Sequence, residues 1–147
     1  MTRARKYLAL EPAERQLFHE AYALVAAIRL ASWTLPFARV RELASQIAKK
    51  GELPDVESRP SRERIAYFVR AAGNAFPGGH NCLVQALVAE IMLLRRGYPA
   101  ELRIGVANPA AQGFKAHAWL ESEGRVVIGD FELETYAPLG TRGASPR

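Results

Sequence analysis

The only cysteine of this chain, Cys82, stands where a helix is predicted to begin, directly after a glycine-rich turn. The turn is Pro77-Gly78-Gly79, and the helical pattern starts at Asn81 or Cys82. A thiol there feels the positive end of the helix dipole and the N–H groups of the first turn, which favour the thiolate form. The same N–H groups could hold a developing oxyanion. A lone cysteine is also commonly a buried structural residue, so this position alone does not decide between the two interpretations.

A predicted β-hairpin carries a histidine and an aspartate that complement this cysteine. With a two-residue turn at Glu123-Gly124, His117 and Asp130 are equally far from the turn. They then become direct cross-strand neighbours on one face, with Cβ atoms about 5 Å apart. A carboxylate there can accept a hydrogen bond from one imidazole nitrogen, while the other nitrogen takes a thiol proton. A three-residue loop would move the pair to a diagonal, and an exposed hairpin could carry the two residues without any such role.

Taken together, these residues predict nucleophilic catalysis, with Cys82 as nucleophile, His117 as general base and Asp130 as orienter. Acyl transfer through a thioester needs no metal or organic cofactor, and none is expected. One cysteine excludes an intramolecular disulfide, and one cysteine with three histidines is a small set for structural zinc.

The elements that must position these residues follow an α+β order. Helices are predicted from Glu11 to about Ser32, from Pro36 to Lys49, from Ser61 to about Gly73, and from Asn81 or Cys82 to Arg96. Strands are predicted over residues 100–106, 115–121 and 125–130, with a loop at 108–113. Leu102, Ile104 and Val106 should face the core, and Glu101 and Arg103 the solvent. The fold class is therefore N-terminal helices plus a central helix packed on an antiparallel sheet.

Length and composition indicate one ordinary globular domain. The 147 residues are 49% hydrophobic and 24% charged. We expect a helical part at 1–60, a catalytic core at 61–138 and a flexible tail at 139–147. The net charge of +5 is spread along the chain. It therefore indicates a solvated surface and no nucleic-acid binding, although an acidic peptide partner stays open. No membrane span or targeting segment is evident, and the cytoplasm is the expected compartment.

Several stretches of the chain resemble a known family. His117-Ala118-Trp119-Leu120-Glu121 with Gly124 and Asp130 is similar to the His-to-Asp core of transglutaminase-like cysteine enzymes. Three stretches are similar to one branch, the lasso-peptide leader peptidases (B-type maturation proteins); they are residues 81–87, 95–106 and 114–119. The resemblance covers about residues 65–138. It implies a papain-like fold and removal of the leader from a ribosomally made lasso-peptide precursor, with Cys82, His117 and Asp130 in the roles given above.

The resemblance also implies partners. Many family members carry or recruit a small winged-helix domain that recognises the leader, and the helices and catalytic core use all of this chain. We therefore expect the split form, with leader recognition on a separate protein. The precursor peptide is the expected substrate, and the ATP-dependent lasso cyclase is a further candidate partner.

The oxyanion donor and two rival functions stay open. Related proteases often place a Gln upstream of the cysteine, but none occurs between Gln46 and Cys82. Asn74, Asn81 or backbone amides are the candidate substitutes, while Gln85 and Trp119 could line the cleft. His80 and His19 are more typical of loop, packing or surface positions, and Glu132 is a fallback orienter. The rival functions are a transglutaminase-like acyltransferase, in which an amine replaces water, and a non-catalytic peptide-binding scaffold.

Overall fold

A computed structural model describes residues 2–51, 55, 57–78, 81–107, 115–129 and 137–138. Five helices precede an antiparallel sheet in this part of the chain, as expected for the α+β class. The helices are α1 (Arg3–Leu8), α2 (Pro12–Thr34), α3 (Phe37–Lys49), α4 (Arg62–Ala75) and α5 (Cys82–Arg95). The strands are β1 (Glu101–Ala107), β2 (Lys115–Ser122), β3 (Arg125–Ile128) and β4 (Ala137–Pro138).

The helix boundaries follow local capping signals. Glu11 and Glu14 form a capping box around Pro12 at the start of α2. The Ser61 side chain accepts from the Arg64 N–H at the start of α4. These boundaries confirm the predictions for α2 to α5. The short helix α1 was not predicted, because six residues carry too little periodicity to be recognised.

The sheet has the strand order β3-β2-β1-β4, with antiparallel neighbours throughout. The predicted two-residue turn joins β2 to β3: Glu123 and Gly124 have φ values of 51° and 80°, the positive values that favoured hairpin turns need. Strand β4, two residues long, was not predicted. The predicted loop at 108–113 and the predicted tail at 139–147 lie outside the described residues.

Helix α5 is the centre of the fold. Residues from α2, α3, α4, α5 and the first three strands share one hydrophobic cluster, so the N-terminal helices pack directly on the helix that begins at Cys82. Nine residues of α5 are buried, on more than one face. Leu94, in the last turn of α5, is 38% exposed. No described helix is long and apolar enough to cross a bilayer.

Glu90 is a buried carboxylate that ties α5 to two neighbours. Its Oε1 accepts from Nη1 of Arg41 in α3 at 2.7 Å, and its Oε2 accepts from the Leu102 N–H in β1 at 3.2 Å. Burial raises the pKa of Glu90 above its ordinary value of 4.5, and the attraction of Arg41 and the Leu102 hydrogen bond offset this only in part. The folded chain therefore holds this proton more tightly than the unfolded chain does.

This pKa shift predicts a sign for the pH dependence of stability. Because the folded-state pKa is raised, the free energy of unfolding should fall as pH rises from 4.5 through the folded-state value. Glu90→Gln removes the titrating group and should remove this part of the slope. Urea unfolding midpoints at several pH values, compared between the two proteins, measure it. Parallel slopes in the two proteins would contradict the prediction.

Candidate active site

Cys82 is the first residue of α5, and the cap of that helix controls the N–H groups around it. The Asn81 Oδ1 accepts from the N–H groups of Leu83 and Val84 at 2.9 and 3.2 Å. Two of the first-turn donors predicted to hold an oxyanion are therefore occupied. Asn81, a predicted oxyanion donor, serves here as the helix cap through its side-chain oxygen. The Cys82 amide is the first-turn donor that this cap does not engage.

Cys82 is partly buried and packs against the hydrophobic cluster. The predicted turn ahead of it is present at Gly78, whose φ of +76° is a conformation that favours glycine. The Arg29 side chain packs against this turn; a Cβ built on Gly78 would lie 2.8 Å from the Arg29 Nε. Gly79 and His80 lie outside the described residues.

His117 is the third residue of β2 and is buried. Its Nε2 lies 2.7 Å from the carbonyl oxygen of Gly129. Because a carbonyl oxygen only accepts, Nε2 carries the hydrogen in this contact. In the neutral ring, Nδ1 is then the basic nitrogen. The histidine is thus held, by the Gly129 carbonyl, in a tautomer that leaves one ring nitrogen free of hydrogen, as a general base needs.

The expected register between His117 and Asp130 rested on an uninterrupted hairpin, and the hairpin is interrupted. Ser122 pairs with Arg125 and Glu121 with Val126, as the turn dictates, but Leu120 then pairs with Ile128. The register shifts by one residue at this β-bulge, so positions equally far from the turn no longer face each other beyond it. Asp130 and the fallback Glu132 lie outside the described residues, and the role of Asp130 stays a prediction.

Gly129 permits the close approach that holds His117. Its φ is +79°, and a Cβ built on it would lie 2.7 Å from the Ala118 carbonyl oxygen and 3.1 Å from the Trp119 Cα. Backbone atoms cannot move aside as a flexible side chain does. This position therefore needs glycine for both its conformation and its contact with β2.

Trp119 stacks on His117, as expected for two residues on one face of the hairpin. The ring centroids are 6.1 Å apart, with an interplanar angle of 22°. The indole Nε1 donates to Oε2 of Glu121 at 3.0 Å, and Arg103 Nε lies 2.8 Å from the same oxygen. Arg103 was expected to face solvent, but it is buried. Its ion pair with Glu121 offsets the cost of removing its charge from water.

The two faces of β2 have different surroundings. Ala118 and Leu120 belong to the hydrophobic cluster that includes α5, whereas the buried Trp119 does not. His117 and Trp119 alternate with those core residues and so lie on the other face. The proposed catalysis also requires that the Cys82 sulfur and the His117 ring approach each other. That encounter stays a prediction.

The other predicted site residues take separate places. Gln85 lies one turn into α5, is partly buried, and its backbone N–H bonds to the Asn81 carbonyl. Asn74 is exposed and lines a cavity of about 270 Å³ between α1, α2 and α4, whose lining includes neither Cys82 nor His117. His19 bonds to the Tyr7 hydroxyl at 2.6 Å, which fits a packing or surface role.

Residues that the sequence did not single out complete the site. Gly129 and Glu121 were not predicted, because each acts through a cross-strand contact that depends on the bulged register. The only available sequence signals were a glycine directly before Asp130 and an acid two residues after Trp119. Among the described residues, no three or more His, Cys, Asp or Glu side chains cluster as a metal site would require.

Comparison with known proteins identifies the family of this chain. A model of the transglutaminase-like superfamily matches residues 21–141, most of the chain, and the chain belongs to this superfamily. The match includes Cys82, His117 and Asp130. It also reaches back into α2, beyond the 65–138 stretch on which the sequence resemblance rested. No curated protein matches, and no solved structure matches.

Proposed function

We propose that this chain is a cysteine peptidase that removes the leader from a lasso-peptide precursor in the cytoplasm. Membership of the transglutaminase-like superfamily supports thiol-based acyl transfer. The single observation that carries the proposal is His117, held through Nε2 by the Gly129 carbonyl so that Nδ1 is the basic nitrogen. The narrower choice of substrate rests on the sequence resemblance of residues 65–138.

In this mechanism, His117 Nδ1 takes the Cys82 proton, and the thiolate attacks the carbonyl carbon of the leader–core peptide bond. The Cys82 amide is the candidate donor to the resulting oxyanion. The C–N bond then breaks, the core amine leaves with the proton from the imidazolium, and the leader remains as a thioester. Water, deprotonated by His117, attacks the thioester, the C–S bond breaks, and the leader is released as a carboxylic acid. Asp130 orients the imidazole.

The proposed partners are the leader region of the precursor, a separate winged-helix recognition protein and the ATP-dependent cyclase. The recognition protein would raise the local concentration of the leader at the peptidase. All three partners follow from the family resemblance, and the test below therefore includes the recognition protein as a separate component.

The proposal is tested by incubating the chain with a candidate lasso-peptide precursor, with and without a separate leader-recognition protein. We expect mass spectrometry to find free leader and free core whose masses sum to that of the precursor plus one water. Cys82→Ala should yield neither product. A leader–amine conjugate would instead identify an acyltransferase, and an intact precursor with the unaltered chain and its recognition protein would identify a scaffold. Either result would overturn the peptidase proposal.

A further inference from the structure

The face of the sheet that carries His117 also carries a buried polar cluster formed by Arg103, Glu121 and Trp119. In the β1–β2 register, Arg103 lies opposite Trp119, Gly105 opposite His117 and Glu101 opposite Glu121. The cluster therefore begins one side-chain position along the strand from the proposed general base. Buried charged groups are costly unless they are paired, so their presence here needs an explanation.

Glu121 is the centre of this cluster. Its Oε2 accepts from the Trp119 indole N–H at 3.0 Å and lies 2.8 Å from Arg103 Nε. The Arg103 contact is a close ion pair whose Nε–H is not aligned as a hydrogen bond. The Arg103 Nη2 also lies 3.3 Å from Glu101 Oε2. Because the side chains of Arg103 and Glu121 are 10% and 17% exposed, solvent screens this pair far less than a surface pair.

These contacts hold the Nε1 edge of the Trp119 indole in place. The indole in turn restricts the orientation of the His117 ring. The two rings are nearly parallel, at 22°, with centroids 6.1 Å apart. The Gly129 carbonyl holds the same imidazole at Nε2. One contact sets the direction of the N–H bond, and the other restrains rotation of the ring plane. Together they determine where Nδ1 points.

We propose that Arg103, Glu121 and Trp119 are positioning residues, which hold the His117 ring in its reactive orientation through an ion pair, a hydrogen bond and a ring stack. This inference rests on the proposed function, because it assigns the cluster a role only if His117 activates Cys82. It adds three residues, from β1 and β2, to a site otherwise built from α5, His117 and Asp130.

The charges that bear on His117 in the described part of the structure come from two strands. Strand β1 contributes Glu101 and Arg103, and β2 contributes Glu121. After β3, the Gly129 carbonyl presents a partial negative charge. Arg125 of β3 is exposed and paired with Glu63. Removing Arg103 therefore makes this face more negative, and removing Glu121 makes it more positive.

Opposite charge changes predict opposite shifts of one pH profile. The measurement is the rate at which iodoacetamide alkylates Cys82, the only cysteine, across a range of pH. Added negative charge disfavours proton loss and added positive charge favours it. We expect Arg103→Met to move the profile to higher pH and Glu121→Gln to lower pH, each by about half a unit. A merely structural role would not produce shifts of opposite sign.

Trp119→Phe keeps an aromatic ring but removes the N–H that Glu121 holds. We expect the alkylation rate at pH 6 to fall about 3- to 10-fold, because the imidazole is less well oriented. Arg125→Met is the matched control: it makes the same change at an exposed pair with side chains 64% and 68% exposed, and should leave the profile in place.

Two outcomes overturn the inference. In the first, the pH profiles of the Arg103 and Glu121 variants coincide with that of the unaltered protein or shift in the same direction, while His117→Ala still changes the profile. The positioning role is then wrong, and the proposed function stands. If His117→Ala leaves the profile unchanged, the proposed function fails and this inference fails with it. If Arg103→Met does not fold, Glu121→Gln and Trp119→Phe still test the proposal.

Discussion

Replacing His117 with alanine is expected to change how alkylation of Cys82 depends on pH. In the unaltered protein, a thiolate–imidazolium pair should keep the iodoacetamide rate within about threefold between pH 5.5 and 7.5. An isolated thiol, with an ordinary pKa near 8.5, gains about tenfold in thiolate for each pH unit below that value. His117→Ala should show this steep dependence, so that its rate changes about 100-fold over the same range.

The slope is more informative than any single rate, because a thiolate of lower basicity is also a weaker nucleophile. Intact-protein mass spectrometry follows the reaction without ambiguity, since Cys82 is the only cysteine. His19→Ala is the matched control: it removes a histidine that bonds to Tyr7 in the N-terminal helices and should leave the profile flat. A steep profile in the unaltered protein would mean that His117 does not activate Cys82.

Replacing Gly129 with alanine should destabilise the chain and disable the site at once. Alanine at φ +79° costs roughly 1–2 kcal/mol. A Cβ 2.7 Å from the Ala118 carbonyl oxygen adds a steric cost of about 1–3 kcal/mol, because backbone atoms must shift. The shift also moves the carbonyl that holds His117. The alkylation profile should therefore become as steep as that of His117→Ala.

Gly124→Ala provides the comparison that separates strain from contact. Gly124 has nearly the same φ, +80°, but a Cβ there would meet nothing within 4 Å. Gly124→Ala should lower the free energy of unfolding only by the cost of the positive φ, roughly 1–2 kcal/mol, and should leave the alkylation profile flat. Urea unfolding gives the free energies, and alkylation is measured at a temperature where both variants are folded. Equal losses of stability, with flat profiles in both, would show that the Gly129 contact does not matter.

The bulge between Leu120 and Glu121 explains why Gly129 and His117 belong to one site. The register shift places Ile128 opposite Leu120 and brings Gly129 against Ala118 and Trp119. In an uninterrupted hairpin, positions equally far from the turn would face each other instead. Bulges often occur next to active sites, where they re-aim groups, and here the re-aimed group is the Gly129 carbonyl that bonds His117.

Much of the local structure could be predicted from the sequence. Capping residues and prolines determine the ends of α2 to α5, and positive-φ residues determine the turn between β2 and β3. These are interactions between residues a few positions apart, so the sequence carries them in short motifs. The same local reasoning placed Cys82 at a helix start and put His117 and Trp119 on one face of a strand.

The tertiary structure decided what depends on distant partners. The buried Arg103 looked solvent-facing by alternation, and only its contact with Glu121 across the β1–β2 pair reverses that interpretation. The one-residue register shift at Leu120, and the contact of His117 Nε2 with the Gly129 carbonyl, likewise cannot be read from the hairpin motif. Short motifs specify where a helix or turn begins. Which side chains meet across the sheet depends on the packing of the whole core.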